Sequence, residues 1–157
     1  MTEEYERYKA AQAARWLEGI AQAYTRCETL RAAIEFERSI AEGVQAVNYD
    51  GMPRARSSGD AMPNAVIRLQ DACAEFDAEL AAFVDMQTDA HERLSRMPDA
   101  ACAGCLERHY LLGHGWERVC VDMGYAWQGM MSLRKRALAM AYDVMPTERR
   151  DPMQPAI

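Results

Sequence analysis

The sequence lacks the features that mark membrane and secreted proteins. It contains no run of about 18 apolar residues, so we expect no membrane-spanning helix and no membrane partner. Its first residues, MTEEYERYKAAQAARW, are acidic and amphipathic, whereas a secretory signal has a basic start followed by an apolar block. These absences favour a cytoplasmic location.

Five cysteines are spread along the chain, at Cys27, Cys73, Cys102, Cys105 and Cys120. Without an export signal, thiols serve by default as small apolar core residues, so we expect no disulfide bonds.

Groups typical of catalysis are scarce. The chain has only three histidines, and it shows no Ser/His/Asp set, no glycine loop that would cradle a phosphate and no paired-carboxylate motif. We therefore expect a protein that is not an enzyme, with no catalytic residues and no cofactor.

One segment, CAGCLERHYLLGH, permits a zinc site. Cys102, Cys105 and His109 are three and four residues apart, so they share a face of a helix, and His114 follows within reach. Structural zinc sites usually draw two pairs of ligands from separate turns or hairpins. Because that arrangement is missing, we expect these residues to pack in a core rather than to bind a metal.

Positive charge is confined to the C-terminal part of the chain. The whole chain carries a net charge of −6, with −7 in residues 1–105 and +2 in residues 106–150. Proteins that bind nucleic acid neutralise phosphates with a basic face. Any such face here is therefore small and local.

Two long amphipathic helices are predicted for the first two thirds of the chain. Apolar residues recur in steps of three and four from Leu17 to Ile34, in a stretch without proline, and the spacing shifts near Glu37 to Ser39. A second heptad stripe runs from Leu69 to Leu94 and ends before Pro98. Residues 48–64 contain glycine, proline and serine and are predicted to be a loop. The two stripes predict a long antiparallel, coiled-coil-like hairpin over 1–97, which also invites a homo-oligomer.

Three shorter helices are predicted after Pro98. They cover about Asp99 to Leu112, Trp116 to Met123 and Ala126 to Asp143, before Pro146. The segment MGYAW places a glycine where a helix ends in a left-handed conformation. A helix, a short turn and a longer helix form the helix-turn-helix outline. We thus predict an all-α protein with a hairpin over 1–97, a helix-turn-helix unit over 98–146 and a tail over 147–157.

The segment CLERHYLLGHGWERVCVDMGYAWQGMMSLRKRALAM resembles the sigma-70 region 4-like helix-turn-helix of small phage and prophage proteins, which include late-gene transcription regulators and many domains of unknown function. The positions that carry the resemblance are Cys105-Leu106, His109-Tyr110, Gly115-Trp116, Cys120, Met123-Gly124-Tyr125, Met130 and Ala137-Leu138. The hairpin and the loop also resemble those proteins. The resemblance implies a transcriptional regulator that binds promoter DNA, RNA polymerase or both.

The resemblance also implies which residues contact double-stranded DNA. Four positions of the last helix would face the major groove: Trp127, Gln128, Met131 and Ser132. Gln128 is the best reader of bases among them, since glutamine pairs bidentately with adenine. Arg134, Lys135 and Arg136 would contact phosphates. Where the family has a serine cap, this chain has Ala126.

Two alternatives stay open. The basic triplet 134–136 also fits a solvated helix end that complements the helix dipole. The apolar residues Trp127, Met130 and Met131 fit a surface that binds another protein, such as RNA polymerase or a phage partner, in a non-enzymatic interaction protein or a packaging protein resembling a small terminase subunit. In that case the helix-turn-helix would not read sequence.

Overall fold

The structure, a computed structural model, describes residues 2–49 and 58–151. All regular structure in these residues is helical, which confirms the all-α class. The elements are α1 (Glu3–Tyr49), α2 (Ser58–Leu94), α3 (Ala100–Leu106), a π-helical turn (Glu107–Leu111), α4 (Trp116–Met123), α5 (Trp127–Tyr142) and a 3-10 turn (Thr147–Arg149). None of these helices combines the length and the apolar composition that crossing a bilayer requires.

Helix α1 follows the predicted apolar stripe. It starts with Glu3, Glu4 and Glu6, whose carboxylates complement the positive end of the helix dipole. Leu17 and Ile34 of the stripe are buried. The helix continues through Glu37 to Ser39, where the spacing of the apolar residues shifts. Ala41 lies seven residues after Ile34, on the same helix face, and both are buried.

Helix α2 begins earlier than the breakers in the sequence indicated. Part of the predicted loop 48–64 is helical, since α1 reaches Tyr49 and α2 starts at Ser58, while residues 50–57 lie outside the described part. Pro63 lies in the second turn of α2, where its missing N–H removes one helix hydrogen bond. At the other end α2 stops at Leu94, four residues before Pro98.

The chain divides into two compact units. One, which we name the terminal unit, contains Met1–Tyr24 and Val84–Ile157; the other, the central unit, contains Thr25–Phe83. The predicted boundaries at residues 97 and 146 lie where the composition of the sequence changes. The two units are instead defined by which residues contact each other in the structure. Each unit contains parts of both long helices.

The terminal unit has a core formed by short and long helices together. Helix α3 and helix α4 pack against α5, and the core includes Leu17 of α1, Leu94 of α2, Leu106 of α3 and Leu133 of α5. Asp99 caps α3 by accepting hydrogen bonds from the N–H groups of Ala101 and Cys102. These bonds stabilise the carboxylate and lower the pKa of Asp99.

The central unit consists of one segment from each long helix. Arg26 lies 3.4 Å from Glu79, and Arg68 lies 3.3 Å from Glu37, so ion pairs join α1 to α2 at two levels. Its described buried apolar residues are Cys27, Ile34, Ala41, Ala65 and Phe83.

Candidate nucleic-acid interface

The turn between α4 and α5 has the geometry that its sequence predicts. Gly124 ends α4 with φ of 73° and ψ of 32°, in the left-handed region that glycine enters without steric cost. The N–H of Tyr125 donates to the carbonyl of Cys120 at 2.9 Å, which is the six-residue closure of a Schellman turn. The turn therefore places the start of α5 close to the end of α4.

Helix α5 begins without a side-chain cap. Ala126 has an extended backbone conformation, as an N-cap residue does, but it has no side-chain acceptor for the first N–H groups. The first helical hydrogen bond runs from the N–H of Met130 to the carbonyl of Ala126, at 2.9 Å. Compared with the serine of the pattern that the sequence resembles, Ala126 lacks one hydrogen-bond acceptor at the start of α5. The backbone is nevertheless helical from Trp127.

One face of α5 is polar and exposed. Gln128, Ser132 and Lys135 follow one another at steps of four and three residues, so they form one stripe, and each is exposed. The opposite face is buried and includes Met130, Leu133 and Ala137. Because the core fixes the rotation of the helix about its axis, this outer stripe cannot turn inward.

The apolar residues at the predicted groove-facing positions lie beside this stripe. Trp127 is 53% exposed, and Met131 is half-buried. On the neighbouring helix α4, the side chain of Val121 is 80% exposed. On α5 itself, the polar stripe that contains Gln128 is therefore bordered by the apolar side chains of Trp127 and Met131.

Arg134 differs from the other members of the basic triplet because it packs within the terminal unit. Its Cζ atom lies 5.3 Å from the centroid of the Trp116 ring, a cation–π geometry. Its Nε atom is buried and has no hydrogen-bond partner among the described residues. The guanidinium also interacts with the hydroxyl of Tyr110, where burial raises the pKa and Arg134 partly offsets that effect.

Arg134 completes an aromatic cluster that links α5 to the segment before α4. The rings of His109 and Trp116 stack with centroids 4.1 Å apart, and Tyr110 contacts both rings edge-on. Nδ1 of His109 lies 2.8 Å from the carbonyl of His114. Burial lowers the pKa of His109; the His114 carbonyl opposes this effect and the charge of Arg134 adds to it.

Lys135 and Arg136 are both exposed, but they have different surroundings. Arg136 lies near Cys102 of α3 and near Asp99, which raise the pKa of its guanidinium. Lys135 has no carboxylate within ion-pair distance in the described ranges. Helix α5 contains three basic residues and no acidic residue, so its outer face is locally positive.

The cysteines and histidine of the zinc hypothesis lie in or beside the core. Cys102 and Cys105 are buried, and Sγ of Cys105 donates to the carbonyl of Cys102 at 3.2 Å. Burial raises the pKa of Cys105 to about 12, which keeps the thiol protonated. The described residues include no group of three or more His, Cys, Asp or Glu side chains that could hold a metal ion. The cysteines among them are free thiols.

Two groups of contacts in the terminal unit have no signal in the sequence. The stack of Arg134 on Trp116 joins residues that are common separately, and only their positions on α5 and α4 bring them together. Asp151, in the predicted tail, binds Arg15 with its carboxylate, accepts from the hydroxyl of Tyr8 and donates its N–H to Gln12. The described start of the tail is therefore attached to α1; residues 152–157 lie outside the described part.

Comparison with protein-family models, with curated proteins and with solved structures finds no match to this chain.

Proposed function

We propose that the chain is a DNA-binding transcriptional regulator of the phage type, whose helix α5 contacts promoter DNA. The observation that carries the proposal is the exposed stripe of Gln128, Ser132 and Lys135 at the start of a helix that follows a glycine turn. A recognition helix reads base edges with the residues of its first turns. The resemblance to the sigma-70 region 4-like proteins supports the same assignment.

The proposal includes the finer architecture. In it, α4, the Gly124 turn and α5 are a helix-turn-helix, and α1 and α2 form an antiparallel hairpin. The ion pairs Arg26–Glu79 and Arg68–Glu37 support the hairpin, since a higher residue number on α1 pairs with a lower number on α2. The crossing from α4 to α5 through a short left-handed turn supports the helix-turn-helix.

Within the basic triplet, Lys135 and Arg136 are better placed for phosphate contacts than Arg134. Lys135 is exposed on the same stripe as Gln128, so both can face one duplex. Arg134 is held on Trp116. We assign Gln128 to base reading, Ser132 to a base or sugar contact, and Lys135 to a phosphate.

The test is a selection from random duplexes at moderate salt, followed by titration of the enriched sequence at several salt concentrations. We expect Lys135→Ala to weaken binding to all sequences and to reduce the slope of log K against log salt by about one unit. Gln128→Ala should relax the choice of base at one or two positions, with a cost of about 1 to 3 kcal/mol there. Arg38→Ala, which removes an exposed positive charge from the central unit, is the matched control and should change neither.

Absence of any enriched motif, with the protein folded, would reject sequence reading by α5. Equal effects of Gln128→Ala and Lys135→Ala on every sequence would also reject it, while leaving nonspecific binding to DNA.

A second candidate function is binding of another protein, such as RNA polymerase or a phage partner, by a non-enzymatic interaction or packaging protein. The exposure of Val121 and Trp127 favours it, because large apolar side chains at the surface mark protein interfaces. Trp127→Ala would then abolish capture of purified RNA polymerase, while Gln128→Ala would leave it intact. Loss of DNA selection with retained capture of polymerase would favour this candidate over the first.

A homo-oligomer is part of the proposal. In the central unit, Phe36 is 64% exposed and Ile67 is 53% exposed. A second copy that covers these side chains would bury apolar surface and present two copies of α5 to a two-fold symmetric site. Sedimentation of the full chain should give a dimer or larger assembly, and Phe36→Ser should shift it toward the monomer. A monomer at all concentrations would contradict this part.

A further inference from the structure

A cavity of about 520 Å³ lies within the terminal unit, between the start of α1 and the end of α5. On α5 it is lined by Lys135, Arg136, Ala139, Met140 and Asp143, which recur at the spacing of one helix face. Its volume falls within the range of about 300 to 1,000 Å³ that small-molecule sites occupy. The first turn of α5, where base reading is proposed, does not line the cavity, whereas Lys135 belongs both to the cavity lining and to the proposed phosphate contacts.

The interior of the cavity offers apolar contacts. Ala10 of α1 and Ala139 of α5 are small, so the two helices leave space between them, and Met140 adds a flexible apolar side chain. All three are partly buried. An apolar body of a ligand would remove this surface from water, which is the main source of affinity in such sites.

The charges around the cavity are neutralised unevenly. Glu3 and Arg7 pair at 2.8 Å, and Glu6 and Lys9 pair at 3.2 Å, so the four charged residues of α1 cancel each other. Among the lining residues from α5 and its C-cap, Lys135 and Arg136 are basic and only Asp143 is acidic.

Lys135 has no ion-pair partner in the described part of the chain. The side chains that line the cavity include four basic and three acidic residues, a net charge of +1. A ligand that complements the charge of the cavity has one negatively charged group.

We propose that this cavity binds a small amphipathic monoanion, with its carboxylate group on Lys135 and Arg136 and its apolar body on Ala10, Ala139 and Met140. The apolar body is an alkyl chain or an aromatic ring, since either can pack against the apolar side chains of the cavity. This proposal does not depend on binding of α5 to DNA, because all of its contacts are made by the folded chain alone.

The experiment is a titration of the full isotope-labelled chain with octanoate, an alkyl monoanion, and with 2-naphthoate, an aromatic one, followed by backbone NMR shifts. We expect saturable shifts that centre on residues 10, 135 and 139, in the low millimolar range that a ligand of about ten non-hydrogen atoms reaches. Tighter binding of one probe identifies the kind of apolar body. Octanol, which lacks the charge, and acetate, which lacks the body, should each bind at least about tenfold more weakly.

Variants locate the site. Lys135→Met keeps the apolar stem but removes the charge, and it should weaken octanoate about tenfold, the factor expected for one charge-assisted hydrogen bond. Ala139→Leu should fill the cavity and weaken both probes. Arg38→Ala is the charge-matched control and should have no effect.

Several results would overturn the proposal. They are absence of saturable shifts at millimolar octanoate, equal binding of octanol, unchanged affinity in Lys135→Met, or shifts centred on Trp127 or Phe36 instead of the cavity. Since no DNA is present in the titration, failure here leaves the regulator proposal standing, and failure of DNA selection leaves this one standing.

Discussion

The terminal unit and the central unit use the same two long helices, but they bury very different amounts of apolar surface. Among the described residues, the largest fully buried side chains, such as Leu17, Leu106 and Met130, all lie in the terminal unit. In the central unit, the large side chains of Phe36 and Ile67 are mostly exposed. A helix buries its apolar stripe only where other elements cover it, and the three additional helices, α3, α4 and α5, all belong to the terminal unit.

The same stripe of α2 illustrates the difference. Ala90 and Leu94, which lie in the terminal unit, are buried, whereas Leu80, which lies in the central unit, is 38% exposed. The repeat in the sequence is equal on both sides of this point. A regular apolar stripe therefore indicates which face of a helix packs toward the core. The number of neighbouring elements determines how much of that face is buried.

The largest expected difference between the two units is in the loss of unfolding free energy when one buried side chain of each unit is shortened. Leu106→Ala in the terminal unit should lower the free energy of unfolding by about 2 to 5 kcal/mol, since it leaves a cavity among packed neighbours. Ile34→Ala, at the edge of burial in the central unit, should cost less than about 2 kcal/mol, because its surroundings can relax. Urea denaturation followed by circular dichroism measures both. An equal cost at the two sites would break the comparison and indicate that another chain covers the central unit.

Replacing a glycine by alanine should lower the stability of the protein at one position in the terminal unit and raise it at one position in the central unit. A Cβ on Gly113 would lie 2.8 Å from Cε1 of Tyr24, and its φ is +74°, so Gly113→Ala should destabilise by at least about 2 kcal/mol. Gly43 lies in the helical central unit with no atom within 4 Å of its added Cβ, so Gly43→Ala should stabilise by roughly 0.5 to 1 kcal/mol. Thermal unfolding of the two variants provides the test; a stabilising Gly113→Ala would contradict the tight packing of the terminal unit.

The uncapped start of α5 is a local weakness in the better-packed unit. Ala126→Ser should add an acceptor for the first N–H groups and stabilise the protein by about 1 kcal/mol. Hydrogen exchange at residues 127–130 should slow, while exchange in the central unit should stay unchanged. Slower exchange in both units, or in neither, would mean that the missing cap does not limit the stability of α5.

The smallest expected effect is a pH dependence confined to the terminal unit, which contains all three histidines. Burial lowers the pKa of His109 in the folded protein, so the unfolded chain binds its proton more readily. The stabilising contribution is complete above the ordinary histidine pKa of about 6.5 and decreases as the pH falls toward the folded pKa.

The protection factors of terminal-unit amides, which are exchange rates corrected for the pH dependence of intrinsic exchange, should therefore decrease between about pH 7.5 and 5.5, and His109→Phe should flatten this dependence. The central unit acts as the internal control. A pH profile that is the same in wild type and His109→Phe would remove His109 as its cause.

Several elements of the fold follow from local sequence. The bounds of α4 and α5 agree with the predicted ones within a residue, because Gly115 and Gly124 flank α4 and the apolar spacing continues from Met130 to Ala141. The exposed stripe of Gln128 and Ser132 follows from the same periodicity. The predicted helix from Asp99 to Leu112 lies in the right place, but its change to a π-helical turn at Glu107 has no local signal.

The candidate site was predictable only in part. Trp127, Gln128 and Ser132 are exposed, as the predicted DNA-facing positions require, and their role in DNA binding stays a prediction. The basic triplet looks uniform in sequence, yet Arg134 lies on Trp116 while Lys135 faces the cavity beside α1. Consecutive helical residues point about 100° apart, so the surroundings of each one depend on the elements that pack there.

The sequence by itself determined the helical class, the inward faces of α1 and α2, the glycine turn before α5 and the exposed polar stripe, because each depends on residues fewer than about eight positions apart. Only the tertiary structure decided which part of each stripe is covered, that the start of α1 and the end of α5 line the same cavity, and that Asp151 binds Arg15. These features join residues separated by more than a hundred positions, and no local pattern specifies which distant surfaces meet.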